Sequence, residues 1–334
     1  MTEQFERKLA RYSNAKHAVA VNNGSSALMC ALMAQGAMCG DLVLVPDYTH
    51  VATANVPKLL GCRVSLVDID PRTFNIDYQS LERTLRDERP KFVVVVDVAG
   101  LPNDMDILRE LSQKYEFTLI EDAAESIGAE YKGRRVGSLG CTATLSFHAA
   151  KQLTTIEGGA ILTDKAGVAQ RCRLVRNHGE PPNRKYFSET LGMNFRTTDI
   201  QSALGLVQLG KLDDQISRRN QIVLCYRKEL CEWFTFQVVP SFATRHAHMM
   251  FVALTRSRKL RDNLKAHLQK ARIETRTPWP PLHTQPNFRT PDVHFPNSSM
   301  LYERSISLPL FNGMHESEVE RVVSEVRSFM QHSN

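Results

Sequence analysis

Short apolar runs alternate with amphipathic stretches through the first two-thirds of the chain. The runs at 18–21, 42–45, 64–67, 92–96, 117–120, 143–147 and 160–163 are rich in β-branched side chains and bounded by turn residues. Such runs predict buried strands. Helix-like stretches lie between them, for example 25–35, 78–86 and 104–115. This alternation predicts an α/β fold with a mostly parallel seven-stranded sheet covered on both faces. In sheets of that kind a ligand site lies outside the carboxyl ends of the strands.

The pattern changes after about residue 199. Ile200, Ala203, Leu204, Val207 and Leu212 recur at helical spacing. Apolar segments at 236–239 and 249–254 follow, then helical patterns near 260–271 and 316–330. A large α/β domain over residues 1–212 and a smaller α+β domain over 213–334 are expected. The proline-rich stretch 277–286 breaks regular helix and reads as an ordered loop.

Composition narrows the class without naming a function. Apolar residues make up 42% and charged residues 23%, ordinary values for a soluble globular protein. No apolar run approaches the ~20 residues of a membrane span. Residues 1–11 mix charges and lack the apolar core of a secretory signal. Seven cysteines are scattered without a Cys-x-x-Cys pair, which predicts a reduced, cytoplasmic protein with neither disulfides nor a zinc site. His246 and His248 have no further ligands near them in sequence, so no metal is expected. The net charge of +6 is spread out, densest at 171–176 and 256–261. Solvated helix faces account for these stretches, and no nucleic-acid-binding signature accompanies them.

Three segments carry candidate chemistry. Lys151 lies just past the run 143–147, Asp122 closes Thr118-Leu-Ile-Glu-Asp122, and Asn22-Asn-Gly-Ser-Ser26 links a strand to an apolar helix. A lysine and an aspartate at neighbouring strand ends suit pyridoxal phosphate (PLP). The amine forms a Schiff base with the aldehyde, and the carboxylate keeps the pyridine nitrogen protonated so that the ring is an electron sink. The glycine and serines at the helix start suit a phosphate. Each segment also has a plainer reading: Asp122 as a helix cap, Lys151 as a surface lysine, the turn as a well-capped connection.

The stretch Ile120-Glu-Asp-Ala-Ala-Glu-Ser-Ile-Gly-Ala-Glu-Tyr-Lys-Gly-Arg-Arg-Val-Gly-Ser-Leu-Gly140, with Ser146-Phe-His-Ala-Ala-Lys151 and Glu157-Gly-Gly159, closely resembles the DegT/DnrJ/StrS family. Arg176-Asn-His-Gly179, the segment 192–208, Pro281-Leu-His-Thr-Gln-Pro286 and Leu308-Pro-Leu-Phe311 extend the resemblance over nearly the whole chain. These are PLP-dependent aminotransferases of fold type I that act on nucleotide-linked keto sugars. The resemblance implies Lys151 as the Schiff-base lysine and Asp122 as the partner of the pyridine nitrogen. It implies Gly24, Ser25, Ser26 and Ser146 at the phosphate, and Glu125 near the phenolic oxygen. His50 stands where the family usually stacks an aromatic ring on the cofactor. Asn194 matches an asparagine that reaches the neighbouring subunit's phosphate, which implies a homodimer with shared sites. Phe74, Arg176, His178 and His283 are expected to border the sugar. The family usually carries some tens of residues ahead of the helix that begins near Thr2, including a glycine-containing loop beside the active site.

The implied reaction moves an amino group from glutamate to a nucleotide-linked keto-deoxy sugar, like that of a perosamine synthase, in amino-sugar, O-antigen or glycoconjugate biosynthesis. Two alternatives stay open: a PLP-dependent sugar dehydratase on the same scaffold, whose family version carries histidine in place of the lysine, and a non-catalytic PLP-binding or regulatory homologue.

Overall fold

The structure is a computed structural model and describes residues 1–137, 139–289 and 294–332. All seven apolar runs form strands of one sheet. They are β1 (His17–Val21), β2 (Leu42–Pro46), β3 (Arg63–Val67), β4 (Phe92–Val96), β5 (Thr118–Asp122), β8 (Thr142–Ser146) and β9 (Gly159–Thr163). A small hairpin, β6 (Glu130–Tyr131) and β7 (Arg134–Arg135), stands apart between β5 and β8. The sheet order is β1-β9-β8-β5-β4-β2-β3. Pairing is parallel from β3 through β8, and β9 is antiparallel to both its neighbours. A parallel strand needs a crossover, usually a helix, to return to the starting edge. Residues 147–158 contain no helix, so the chain turns straight back. That turn holds Lys151 at the carboxyl end of β8.

Alternate residues of the central strands feed two cores. Val93, Val95, Leu119 and Leu145 face one side with α1 (Thr2–Tyr12), α4 (Tyr78–Glu88) and α5 (Met105–Tyr115). Phe92, Val94, Ile120 and Ile161 face the other with α2 (Gly24–Ala34), α3 (Ala52–Leu59) and α6 (Ala166–Arg176). Burial on both faces explains why these strands read as continuous apolar runs. Aspartates start α4 and α5: Asp77 and Asp104 each accept hydrogen bonds from first-turn amides, contacts worth about 1 kcal/mol apiece.

The later chain forms α7 (Asp199–Leu209), α8 (Leu212–Leu230), β10 (Thr235–Phe236), β11 (Ala243–Arg245), β12 (Phe251–Leu254), α9 (Arg258–Lys270), α10 (Pro296–Arg304), β13 (Ser305–Leu308) and α11 (Glu316–Gln331). The sheet β10-β12-β13 packs with α8, α9 and α11 around Tyr226, Phe251, Leu264, Ile306 and Val326. Strand β11 pairs with β6, and the Met249 amide donates to the Ala99 carbonyl at 2.9 Å. The proline-rich stretch contains the 3-10 turn Leu282–Thr284, and a second, Pro286–Phe288, starts at its last residue. Its Leu282 amide is held by the Asp47 carbonyl at 2.8 Å.

Two sequence features behave differently from their pattern. The apolar stripe of α7 points outward: Ile200 is 84% and Val207 55% exposed, while Ser202, Gly205 and Leu209 are buried. The glycine lets the helix sit close, because a Cβ there would lie 2.8 Å from the Phe5 ring. The arginines of 171–176 are braces rather than a solvated face. Arg171 and Arg173 donate to the carbonyls of Ala34 and Ala18, and Arg176 pairs with Glu6 at 2.6 Å. Among the described residues no helix is long and apolar enough to cross a membrane.

Candidate active site

Four chain turns meet at the carboxyl edge of the sheet. Asp122 is the last residue of β5, in register with Val96 of β4 and Thr144 of β8. It is buried, and its Oδ2 accepts the Thr53 hydroxyl at 2.8 Å while Oδ1 accepts the Ala124 amide at 3.3 Å. The Thr49 hydroxyl lies 3.1 Å from that of Thr53. Burial raises the Asp122 pKa above its ordinary value, opposed by Thr53, the Ala124 amide and the Lys151 cation.

Lys151 Nζ lies 3.3 Å from Glu125 Oε1, with the two side chains 14% and 4% exposed. The loop that presents it closes on Phe147, whose amide donates to Gly158 and whose carbonyl accepts from Thr155. Glu125 is fixed at two further points. Its Oε2 accepts the Ala99 amide at 2.9 Å, and its carbonyl accepts Gln152 Nε2 at 2.6 Å. Ala99 sits at φ +60°, in the left-handed region that non-glycine residues rarely occupy.

His50 belongs to the same turn as Thr53, whose amide donates to the His50 carbonyl at 3.1 Å. Its pKa is pushed down by burial of the ring and then by the Lys151 cation, against the opposing carboxylates of Asp122 and Glu125. Lys151, Asp122, Glu125 and His50 therefore share one electrostatic environment. Gly24 opens α2 beside Ser146, the last residue of β8: a Cβ on Gly24 would lie 3.0 Å from the Ser146 Cβ. Asn23 caps the helix by accepting the Ser26 amide at 2.8 Å, and Ser25 is exposed at its first turn.

The remaining expected residues are spread more widely. Asn194 is exposed, next to Phe195, whose carbonyl accepts the Asn22 amide at 2.9 Å beside the β1–α2 turn. His178 is exposed at φ +57°, with its amide on the Met193 carbonyl at 3.1 Å. Arg176 is engaged at β1 by Glu6 and by the Ala20 carbonyl. Phe74 is fully buried with Tyr48, Val98 and Ala99 and packs behind the turn that holds Glu125. His283 Nδ1 lies 2.6 Å from the buried Asp47 carboxylate, just past β2, with its ring stacked on Phe295. Thr49, Thr53, Ala99, Gln152 and Asp47 escaped the sequence reading. Apart from Thr49, which meets Thr53 four residues on, their roles rest on contacts far along the chain, and single threonines or alanines give no periodic signal.

With this geometry in place, comparison with known proteins is decisive. The model of the DegT/DnrJ/EryC1/StrS aminotransferase family matches residues 1–327. The chain belongs to this family. It is 36% identical over 330 residues to GDP-perosamine synthase of Caulobacter vibrioides, covering 96% of this chain and 88% of that protein. The crystal structure of S. venezuelae DesV, in complex with a ketimine intermediate, superimposes with a TM-score of 0.94 at 31% identity, covering all of this chain and 90% of that one. The PLP form of a putative sugar aminotransferase from Streptococcus pneumoniae gives a TM-score of 0.92 at 25% identity, over 99% of this chain and 91% of that one. The family member described here is thus a PLP-dependent sugar aminotransferase of fold type I.

Its residues fit that cofactor. A lysine amine and a buried carboxylate lie in one cluster, as an aldehyde and a pyridinium nitrogen require. The Gly24–Ser146 gap, which a Cβ would fill, abuts the amino end of α2, where an anion is favoured.

Proposed function

We propose that this aminotransferase moves an amino group from glutamate to a nucleotide-linked keto-deoxy sugar, in the manner of a perosamine synthase, for amino-sugar or glycoconjugate biosynthesis. The observation that carries the reading is Lys151 Nζ seated beside Glu125 and within the field of Asp122. The similarity to a GDP-perosamine synthase supports the sugar class. Lys151 in place of the dehydratases' histidine favours transamination.

Bound PLP would supply an electron sink for the carbon that loses or gains the amine. The chain's own groups divide the remaining work. Lys151 Nζ captures the cofactor and moves a proton to and from the substrate carbon, general acid–base work at hydrogen-bond range. Asp122, negative and buried, favours a protonated ring nitrogen by opposite-charge pairing. Gly24, Ser25, Ser26 and Ser146 hold the phosphate, His50 supplies a flat platform, and His283 is oriented toward substrate by Asp47. The active unit is a homodimer in which Asn194 completes the partner's phosphate site. The outward apolar side chains Leu191, Met193, Ile200 and Val207, between 55% and 84% exposed, support an interface on this side.

The test is a panel of nucleotide-linked keto sugars with glutamate as donor. Turnover of a 4-keto-6-deoxy nucleotide sugar supports the proposal. A Schiff-base absorbance band that glutamate does not bleach would favour the non-catalytic reading, and deoxygenation without amine transfer the dehydratase.

A further inference from the structure

We propose that the hydroxyls of Thr49 and Thr53 form a one-way hydrogen-bond relay that positions the Asp122 carboxylate for the ring nitrogen of the cofactor. The inference deepens the PLP reading of the site and rests on Asp122 being that nitrogen's partner. Both threonines act through Asp122. In the large sheet β4 separates β2 from β5, yet the turn after β2 reaches the end of β5. Thr53, in the first turn of α3, donates to Asp122 Oδ2 at 2.8 Å, and its oxygen lies 3.1 Å from the Thr49 hydroxyl.

The direction of the relay follows from counting protons. An ionised carboxylate only accepts, and a threonine hydroxyl has one hydrogen to give. Thr53 spends its hydrogen on Asp122, so its oxygen accepts the hydrogen of Thr49. Thr49 and Thr53 are each 1% exposed and Asp122 4%. In so dry a place the first bond polarises and strengthens the second. The carboxylate is held at both oxygens, Oδ2 by Thr53 and Oδ1 by the Ala124 amide at 3.3 Å. Each oxygen has two lone pairs, so one acceptor site on each stays open for a ring N–H.

The relay also opposes the effect of burial. Burial favours the neutral acid of Asp122, as does the Glu125 carboxylate, whereas Thr53, the Ala124 amide and the Lys151 cation favour the charge. Asp97, just past β4, and His50 face the same carboxylate. A neutral Asp122 would withdraw the opposite charge that keeps a ring nitrogen protonated. Among the favourable contacts, Thr53 is backed by a second buried hydroxyl.

The experiment compares Thr53→Val, which keeps the branched shape without the hydroxyl, with Thr53→Ser, which keeps the hydroxyl, and with Thr49→Val. In cofactor-free protein carrying carbon-13 at its aspartate carboxyls, NMR follows the Asp122 titration, assigned by its loss in Asp122→Asn. Thr53→Val should move that titration to higher pH, Thr49→Val should move it less, and Thr53→Ser should restore it. With PLP labelled at the ring nitrogen, the nitrogen-15 signal of Thr53→Val should shift toward that of Asp122→Asn. Its kcat should fall about tenfold, the scale of one hydrogen bond to a charged group, with KM for glutamate changed less. A Thr53→Val titration that overlies wild type, or a Thr53→Ser protein that behaves as Thr53→Val, would overturn the relay. Thr49→Val leaves every contact of Asp122 in place, so its titration decides the matter should Thr53→Val not fold, and there too coincidence with wild type overturns the relay. A wild-type ring-nitrogen signal in Asp122→Asn overturns the Asp122 reading itself, a different outcome.

Discussion

At the scale of single residues, the cluster around Lys151 makes sharp demands. Lys151→Ala should lose both the Schiff-base band and transamination. Lys151→Arg should fail as well, because a guanidinium stays protonated and cannot attack an aldehyde. Borohydride reduction followed by peptide mapping checks the assignment, and a label on another lysine would sink it. Asp122→Asn should keep the cofactor while turnover falls by a hundredfold or more, on the order of 3 kcal/mol of lost stabilisation. The amide oxygen can still accept from Ala124 while its NH2 donates to the Thr53 hydroxyl, but it no longer holds a ring cation. Turnover within a few-fold of wild type would remove Asp122 from the electron-sink role. Both residues were legible in the sequence because Asp122 ends an apolar run, Lys151 follows one closely, and both belong to specific motifs. Thr53, Ala99 and Gln152 were not, since each acts on a residue 26 or more positions away or through a backbone group.

At the scale of elements, strand periodicity identified every strand of the large sheet but not the direction of β9, which the helix-free return at 147–158 decides. Helical periodicity located α7 but could not tell an inward stripe from an outward one, because apolar spacing looks the same on either face. The pair β4–β5 holds a further feature. Glu121 of β5 is fully buried, and its carboxyl feels the charge of Asp97, just past β4. Two buried carboxyls that feel each other's charge cannot both ionise cheaply. Burial raises Asp97 to about 6 and Glu121 well above its ordinary value. A carboxyl whose folded pKa is raised binds its proton more tightly in the native state. The stability it contributes is full below the ordinary carboxylate range and is lost as pH rises through about 6. Glu121→Gln replaces the titrating carboxyl with a neutral amide of nearly the same shape near Asp97. The thermal midpoint near pH 7.5 should then rise, on the order of 2–4 °C, and its decline between pH 5 and 7 should flatten. Thermal unfolding across that range tests it, and an unchanged slope would show that Glu121 plays no part in the decline.

At the scale of the whole molecule, one chain gathers the lysine, the aspartate and the Gly24–Ser146 cradle yet leaves apolar side chains facing outward beside them. Leu191 at 82% and Ile200 at 84% exposed flank Asn194, on a segment whose Phe195 carbonyl holds Asn22 at the β1–α2 turn. Pairing two copies through this side would cover the stripe on α7 and bring each Asn194 toward the other chain's phosphate cradle. An isolated subunit should then hold PLP more weakly than the dimer. Light scattering during cofactor titration measures this, with dilution shifting both signals together. Complementation tests the sharing of sites directly. Lys151→Ala subunits have no Schiff-base lysine, and Asn194→Ala subunits lack the group that crosses over. Alone, the first should be inactive and the second impaired. Mixed after partial denaturation and refolding, which forces exchange, a hybrid dimer carries one site with both residues intact, and activity should return toward a quarter of wild type. That value follows from a statistical half of hybrids with one working site of two. A monomer that binds PLP fully at micromolar concentration, or exchanged hybrids with no gain over the Asn194→Ala parent, would place Asn194 outside the neighbouring site.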